Sequence, residues 1–426
     1  MSPTEIMVIT LISLMVFRIP IAFSMGISVL IFLWLSDKSL RLIPQYLIAN
    51  LDSFTLLAIP FFLLAGEFMA RGGLAQRLIS FAKVFVGHIP GGLGQVNCLS
   101  SVIFATMSGS ASADAAATSR ILVPAMEREG YSRGYAAAIT AASATVGPII
   151  PPSIHLVLVG AINELSIGRL FLGGIIPGLL MAGGLMVYVY SGYGRRNVVT
   201  SPRASFQQFK IAFKESFWAM LTPPIILGGI FLGIFTPTEA AICAVVYSGF
   251  IGKFIYNELT WNDVGKSIIA SLDISARLML IVAIAGVFGW ILSSEKAAQD
   301  LVIYIKSIAH NKYLLLLLLN ILLLLLGMFI NLVTLIILLS PILYPLVIAF
   351  GIDPIHFSLI FVLNLMIGQL TPPVALMSFV VISVTECSLE DFLKSIWPMI
   401  VVLVAVLILV TYYPATVLWL PRLIMP

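Results

Sequence analysis

Two short stretches carry the same unusual punctuation. GPIIPPS occupies 147–153 and GQLTPPV occupies 368–374, each inside a run apolar enough to lie in a membrane. Proline removes a backbone donor and clashes with the preceding turn, so a helix ends there. In hydrocarbon each orphaned carbonyl then costs several kcal/mol unless protein, water or an ion accepts it. Unwound carbonyls and half-helix C-termini suit a bare Na⁺. The half-helix N-termini beyond the breaks, at Pro152-Ser153 and Pro373, present free N–H groups and a positive dipole end, which suits an anion. The two stretches therefore read as the two halves of one binding site for sodium and an anionic solute.

Further oxygen donors stand in two other apolar runs. SGSASAD at 108–114 supplies Ser108, Ser110 and Ser112; the second run supplies Asn331 and Thr334. Small residues also let helices pack closely, which accounts for the alanines of the first run. Asp114 is different, because an ionisable residue inside a membrane segment is a functional candidate by default. Ser112, Asp114, Ser153, Thr334, Pro152 and Pro373 form the expected substrate-facing set. Glu239 reads structurally: Thr236 and Glu239 have the spacing of a capping box. His155, just past the first break, reads as a packing residue. The four histidines are dispersed, and no HExxH or GxSxG motif supports a membrane-embedded enzyme.

These residues need a membrane scaffold, and the composition supplies one. The chain has 426 residues, 60% hydrophobic and only 10% charged, with mean hydropathy +1.09. It reads as an all-α polytopic membrane protein, and its small net charge of +4 implies no nucleic-acid partner. The three cysteines are scattered and suggest buried thiols rather than a metal cluster or disulfides. The longest polar stretch, 195–216, is rich in arginine and lysine and is assigned to the cytoplasm by the positive-inside rule.

That linker separates two similar halves, 1–194 and 217–426. Pro124, Gly130, Gly147 and Pro151-Pro152 reappear as Pro345, Gly351, Gly368 and Pro372-Pro373 at one constant offset, and so do Met107 and Asp52, as Met328 and Asp273. Repeats of this kind mark secondary transporters. Each half reads as a helical pair, an interfacial amphipathic arm (39–54; 261–276), a spanning helix, a re-entrant hairpin (91–126; 313–347), a discontinuous helix (135–162; 356–384) and a final helix. In the first hairpin the legs are about 16 residues, roughly 24 Å, short of a ~30 Å hydrocarbon core. Five spans and one hairpin per half favour inverted repeats.

GPIIPPSI at 147–154, GIFTPTEAA at 233–241, GQLTPPVAL at 368–376 and the SGSASAD tip resemble the large membrane subunit of tripartite ATP-independent periplasmic (TRAP) transporters. The resemblance covers nearly the whole chain. Asp114 departs from the tip GSSVAT common in that family. The resemblance implies an elevator-type carrier in the bacterial inner membrane, with transport and scaffold parts interleaved along the chain. It implies Na⁺-driven import of an organic acid. It also implies two partners, a small membrane subunit and a soluble periplasmic binding protein. The family's cation positions fall on Ser108, Gly109 and Ser110, on Gly147 and Pro151, on Gly327 and Asn331, and on Gly368, Thr371 and Pro372. No arginine falls inside the four central elements to clamp a second carboxylate, Arg120 lying towards the outer end of a hairpin leg, which favours sialic acid over C4-dicarboxylates and other sugar or keto acids. A dicarboxylate-type symporter that needs no binding protein is the rival reading.

Overall fold

The computed structural model describes residues 2–192 and 201–425; the side chains of Ala75, Ser108 and Ala298 lie outside the described set. The described residues form helices joined by short turns. Seven of these helices are long and apolar enough to cross a membrane. The chain is a polytopic all-α membrane protein.

Both halves run through the same order of elements. A pair of apolar helices opens each (Pro3–Val16 and Ile21–Leu35; Thr222–Phe231 and Pro237–Phe250). Thr236 starts the last of these with the expected capping box: the Thr236 N–H donates to Glu239 at 2.7 Å and the Glu239 N–H donates to Thr236 Oγ1 at 3.3 Å. The arms differ. The first is a separate helix, Leu42–Leu51, whereas the second runs without interruption into its spanning helix as Trp261–Ser294. Connecting helices Leu74–Val86 and Ala297–Ile308 lead to the hairpins. Of the linker at 195–216, residues 195–200 lie outside the described set. The remainder runs into a helix, Phe206–Met220, whose Phe209 and Phe213 rings tilt against Phe81.

The hairpin legs are Gly92–Ser108 with Ala111–Arg128, and Lys312–Phe329 with Leu332–Ala349. Both hairpins close at their bases. Tyr131 Oη donates to the Gly91 carbonyl in the first, and Lys312 and Ile352 line one small pocket in the second. Each tip is a two-residue turn, Gly109-Ser110 or Ile330-Asn331. Buried amides tie each outgoing leg to the discontinuous helix that follows. Asn97 donates to Thr140 Oγ1 at 2.6 Å and accepts from Ser143 Oγ at 3.0 Å; Asn364 donates to Asn320 Oδ1 at 2.7 Å. Ser101 Oγ adds a bond to Ser143 Oγ at 2.8 Å in the first repeat, and such side-chain bonds hold helices together in an apolar setting.

The two hairpins enter from opposite faces. The first base packs against Val189, at the C-terminal end of the long helix Ile167–Ser191. The second base meets Thr411 and Leu418, and the chain there packs Val417 on Gly173 and Met425 on Gly168, at the N-terminal end of the same helix. The arms follow the same inversion. Thr238 Oγ1, at the start of Pro237–Phe250, donates to Phe54 just after the first arm (2.8 Å), while the second arm begins beyond the other end of that helix. The repeats are therefore inverted, and the first hairpin base lies on the side of the linker, where the Ser201 N–H donates to the Gly87 carbonyl at 3.2 Å.

An exchanged pair of ion bridges marks the pseudo-symmetry. The turn after each opening helix pair has one left-handed residue, Asp37 (φ 52°) or Asn257 (φ 56°), followed by opposite charges, Lys38 and Glu258. Lys38 Nζ lies 2.5 Å from Glu295 at the end of the second spanning helix. Arg77, in the first connector, lies 2.6 Å from Glu258 and stacks over Tyr256 at 3.9 Å. Each repeat thus grips the junction between spanning helix and connector of the other. These pairs are partly exposed, so each is expected to contribute about 0.2–1 kcal/mol. Lys38→Glu should lower the thermal midpoint of the purified protein, and adding Glu295→Lys should recover most of the loss. A double-mutant cycle with no coupling would refute the pairing.

Candidate functional site

Each hairpin tip is docked on the interrupted helix of its own repeat. In the first repeat Gly109 is left-handed (φ 57°), and a Cβ there would lie 2.6 Å from the Pro152 carbonyl oxygen and 3.2 Å from the Ile154 nitrogen. Only glycine meets both demands. Across the same contact, a Cβ on Gly147 would lie 2.9 Å from Asp114 Oδ2. The structure thus brings Gly109, Asp114, Gly147, Pro152 and Ser153 together. Asp114 is buried, at 1% exposure, in the first turn of the return leg.

The first interruption, 145–153, separates Arg133–Ala144 from Ile154–Ile162 and is buried throughout. Ser153 bridges it. Its hydroxyl donates to the Pro148 carbonyl at 2.6 Å and accepts from the Leu156 N–H at 3.2 Å, so it caps the new half-helix and satisfies one carbonyl of the break. Ser153, expected to face substrate, is fully buried in this local framework. Pro152 is buried with it.

The second repeat is built differently. Helix Pro354–Leu370 continues through Gly368, and the interruption spans only 371–375 before Leu376–Thr385. The expected break at 368–373 is thus shorter and begins later. Gly327 is likewise helical, in the last turn of its leg. The physical reason is helix contact: a Cβ on Gly368 would lie 2.8 Å from Gly327 Cα, and one on Gly327 would lie 3.1 Å from the Leu365 carbonyl. These glycines let two backbones touch, whereas the unwinding falls to Thr371, Pro372 and Pro373. Thr371 Oγ1 donates to the Ile367 carbonyl at 2.8 Å. Asn331 caps the return leg, accepting from Val333 N–H at 2.9 Å, and its side chain is exposed. Both double-proline pairs contain a cis peptide bond.

The other expected residues divide by exposure. Ser112 and Pro373 are exposed; Ser110, Thr334 and Pro372 are half-buried; Pro151 is buried. Ser110 Oγ accepts from Ala113 N–H as an N-cap and lies 3.3 Å from Ser112 Oγ. The Ser108 side chain is outside the described set. Beyond each break the chain crosses to the other repeat: Leu376–Thr385 packs on the first return leg, and Ile154–Ile162 packs on the second. Asn163 donates to Ser340 across that second contact at 3.3 Å. The two halves of the site are therefore interleaved. Asn97, Asn320 and Asn364, which brace each hairpin, were not among the expected residues; an amide inside a membrane helix is the signal that marks them.

A cavity of about 1530 Å³ opens elsewhere, on the face opposite the linker. It separates the first arm and the spanning helix Trp261–Ser294 from the second return leg, and Asp52 and Glu164 line it. None of the residues expected to bind sodium or substrate does so. It is a gap between the arm side of the molecule and the hairpin side. Gly289 and Pro341 approach one another across it.

The family model "Tripartite ATP-independent periplasmic transporter, DctM component" matches residues 8–416. The chain is 43% identical over 406 residues to the sialic acid TRAP transporter large permease protein SiaM of Vibrio cholerae, covering 95% of each chain. It is 40% identical over 400 residues to the C4-dicarboxylate TRAP transporter large permease protein DctM of Pseudomonas aeruginosa, covering 94% of each. Its fold resembles the crystal structure of the Alcanivorax borkumensis YdaH transporter, with TM-score 0.65 at 15% identity, over 88% of this chain and 89% of that one. Together with the inverted hairpins and interrupted helices, these matches place the chain in the family of TRAP transporter large permeases, as a multi-pass protein of the bacterial inner membrane.

Proposed function

We propose that this chain is the permease through which a TRAP system imports an organic acid, driven by sodium and working as an elevator. The observation that carries this reading is the docking of the first hairpin tip on the 145–153 interruption, with the second hairpin crossing its own interrupted helix at Gly327 and Gly368. The first contact gathers main-chain carbonyls, hydroxyls and one carboxylate, and the inverted repeat offers Thr371 in its interruption and Asn331 at its tip. Hard cations take oxygen ligands, and unwound carbonyls are the usual source in discontinuous helices. On this reading Gly109, Ser110, Gly147 and Pro151 belong to one sodium position, with Ser108 beside them. Gly327, Asn331, Gly368, Thr371 and Pro372 belong to the other. The acid is held between the tips, with Ser112, Asp114, Thr334 and Pro373 nearest it.

The moving part comprises the hairpins and interrupted helices; the static part comprises the arms and the spanning helices that the exchanged ion pairs hold. The cavity between the two, which closes where Gly289 meets Pro341, supports this division. A small membrane subunit would cover part of the static side, and a periplasmic binding protein would deliver the acid at the face opposite the linker. Sialic acid is the proposed substrate, because the tips and interruptions contain no basic side chain. C4-dicarboxylates remain the second choice, given the similarity to permeases named for both.

The test is uptake by proteoliposomes holding this chain and its small partner, with binding protein, substrate and Na⁺ gradient varied one at a time. Uptake should require an inward Na⁺ gradient and the binding protein, and should prefer sialic acid to succinate. Accumulation driven by a proton gradient alone would reject the sodium assignment. Gly368→Ala should raise the Na⁺ concentration for half-maximal uptake about tenfold, equivalent to ~1.4 kcal/mol, in protein that still elutes as a folded species. An unchanged sodium requirement in that variant would remove the second position.

A further inference from the structure

A second, smaller pocket lies at the base of the second hairpin, on the face opposite the linker. It has a volume of about 200 Å³ and is walled by Lys312, Tyr313, Asp353, His356, Thr411 and Arg422. Four elements meet there: the start of the outgoing leg, the turn after the return leg, the end of Leu389–Tyr412 and the C-terminal helix Ala415–Ile424.

Its charges are unevenly committed. The Asp353 carboxylate is turned to the helix it caps, accepting from Ile355 N–H at 2.8 Å and His356 N–H at 3.4 Å. His356 is 3% exposed and its Nε2 is bonded to the Val410 carbonyl at 2.8 Å. Among the described residues, Lys312 and Arg422 pair with no carboxylate. Two cations therefore face a cleft whose one acid is engaged elsewhere.

The surroundings fix the depth of this cleft in the bilayer. Tyr313, Tyr413 and Trp419 are each more than half exposed beside it, and Tyr313 lies 6.2 Å from Tyr412, ring to ring. Exposed tyrosine and tryptophan gather at the headgroup level of a membrane. Leu423 and Ile424 extend the apolar side of the C-terminal helix next to Arg422.

We infer that this pocket binds a phosphate oxyanion, supplied by the headgroup of an anionic phospholipid in the outer leaflet. Lys312 and Arg422 meet the phosphate from two sides. The Tyr313 and Thr411 hydroxyls are neutral donors in its wall, and the acyl chains run along Leu423 and Ile424. The lipid bridges the hairpin base and the C-terminal helix, which no ion pair joins among the described residues.

The test uses the purified full chain and native mass spectrometry with phosphatidylglycerol and phosphatidylcholine in competition. Each basic residue near a surface of anionic lipid is worth roughly fivefold in binding, so retained phosphatidylglycerol should exceed phosphatidylcholine by at least that factor. Lys312→Gln with Arg422→Gln should abolish the preference, whereas Lys394→Gln with Lys253→Gln should keep it. Equal retention of both lipids by the unaltered chain would overturn the site, and this arm needs no variant to fold. A preference that survives the double substitution would also overturn it. Protection against heat by inorganic phosphate, with no lipid preference, would overturn the assignment to a headgroup.

Discussion

Main-chain polar groups cannot be left unpaired in hydrocarbon, and this constraint governs the rest of the molecule. Two helices are interrupted at paired prolines. The second leaves Pro373 exposed, whereas the first survives because protein is packed directly against it. Ser153 returns a hydroxyl to the Pro148 carbonyl, and a hairpin tip closes over the Pro152 carbonyl with no room for a Cβ. The same closeness that satisfies the backbone also concentrates oxygen atoms. A binding site is what remains when such a break is covered by polar atoms instead of being filled by apolar ones.

The two repeats meet this constraint by different routes. The first unwinds nine residues (145–153) and buries all of them, with Asp114 against Gly147. The second unwinds five (371–375), keeps Gly368 helical, and achieves contact through the Gly327–Gly368 crossing. The first interruption therefore has a carboxylate against it, whereas in the second repeat Thr371 and Asn331 are bonded to their own helices. Inverted repeats need not be equal sites, because a shared topology constrains backbone path more than side-chain chemistry.

Inversion also explains how the interleaved parts are held. The half-helix beyond each break packs on the hairpin of the other repeat, so each break is flanked by elements of both repeats. The exchanged bridges Lys38–Glu295 and Arg77–Glu258 perform the corresponding task at the edges, one at each membrane face. Buried amides at Asn97 and Asn320 fix each hairpin leg to its neighbour. Such bonds are modest singly, but in an apolar interior they decide which helices stay together.

Much of this was legible in the chain itself. Apolar length required membrane helices, since no other element pairs its own backbone there. Proline and glycine recurring at one offset required two similar halves. Double prolines required interruptions, and Thr236 with Glu239 required a helix start. Those conclusions follow from local rules that act over a few residues. What only the tertiary structure decided depends on distance between segments far apart in sequence. It decided that Gly327 and Gly368 serve close contact rather than unwinding. It buried Ser153 as a cap and made the second arm continuous with its spanning helix. It also paired Lys38 with Glu295. The reason is physical: a glycine that frees the backbone and one that admits a neighbour are the same letter, and only the neighbour's position tells them apart.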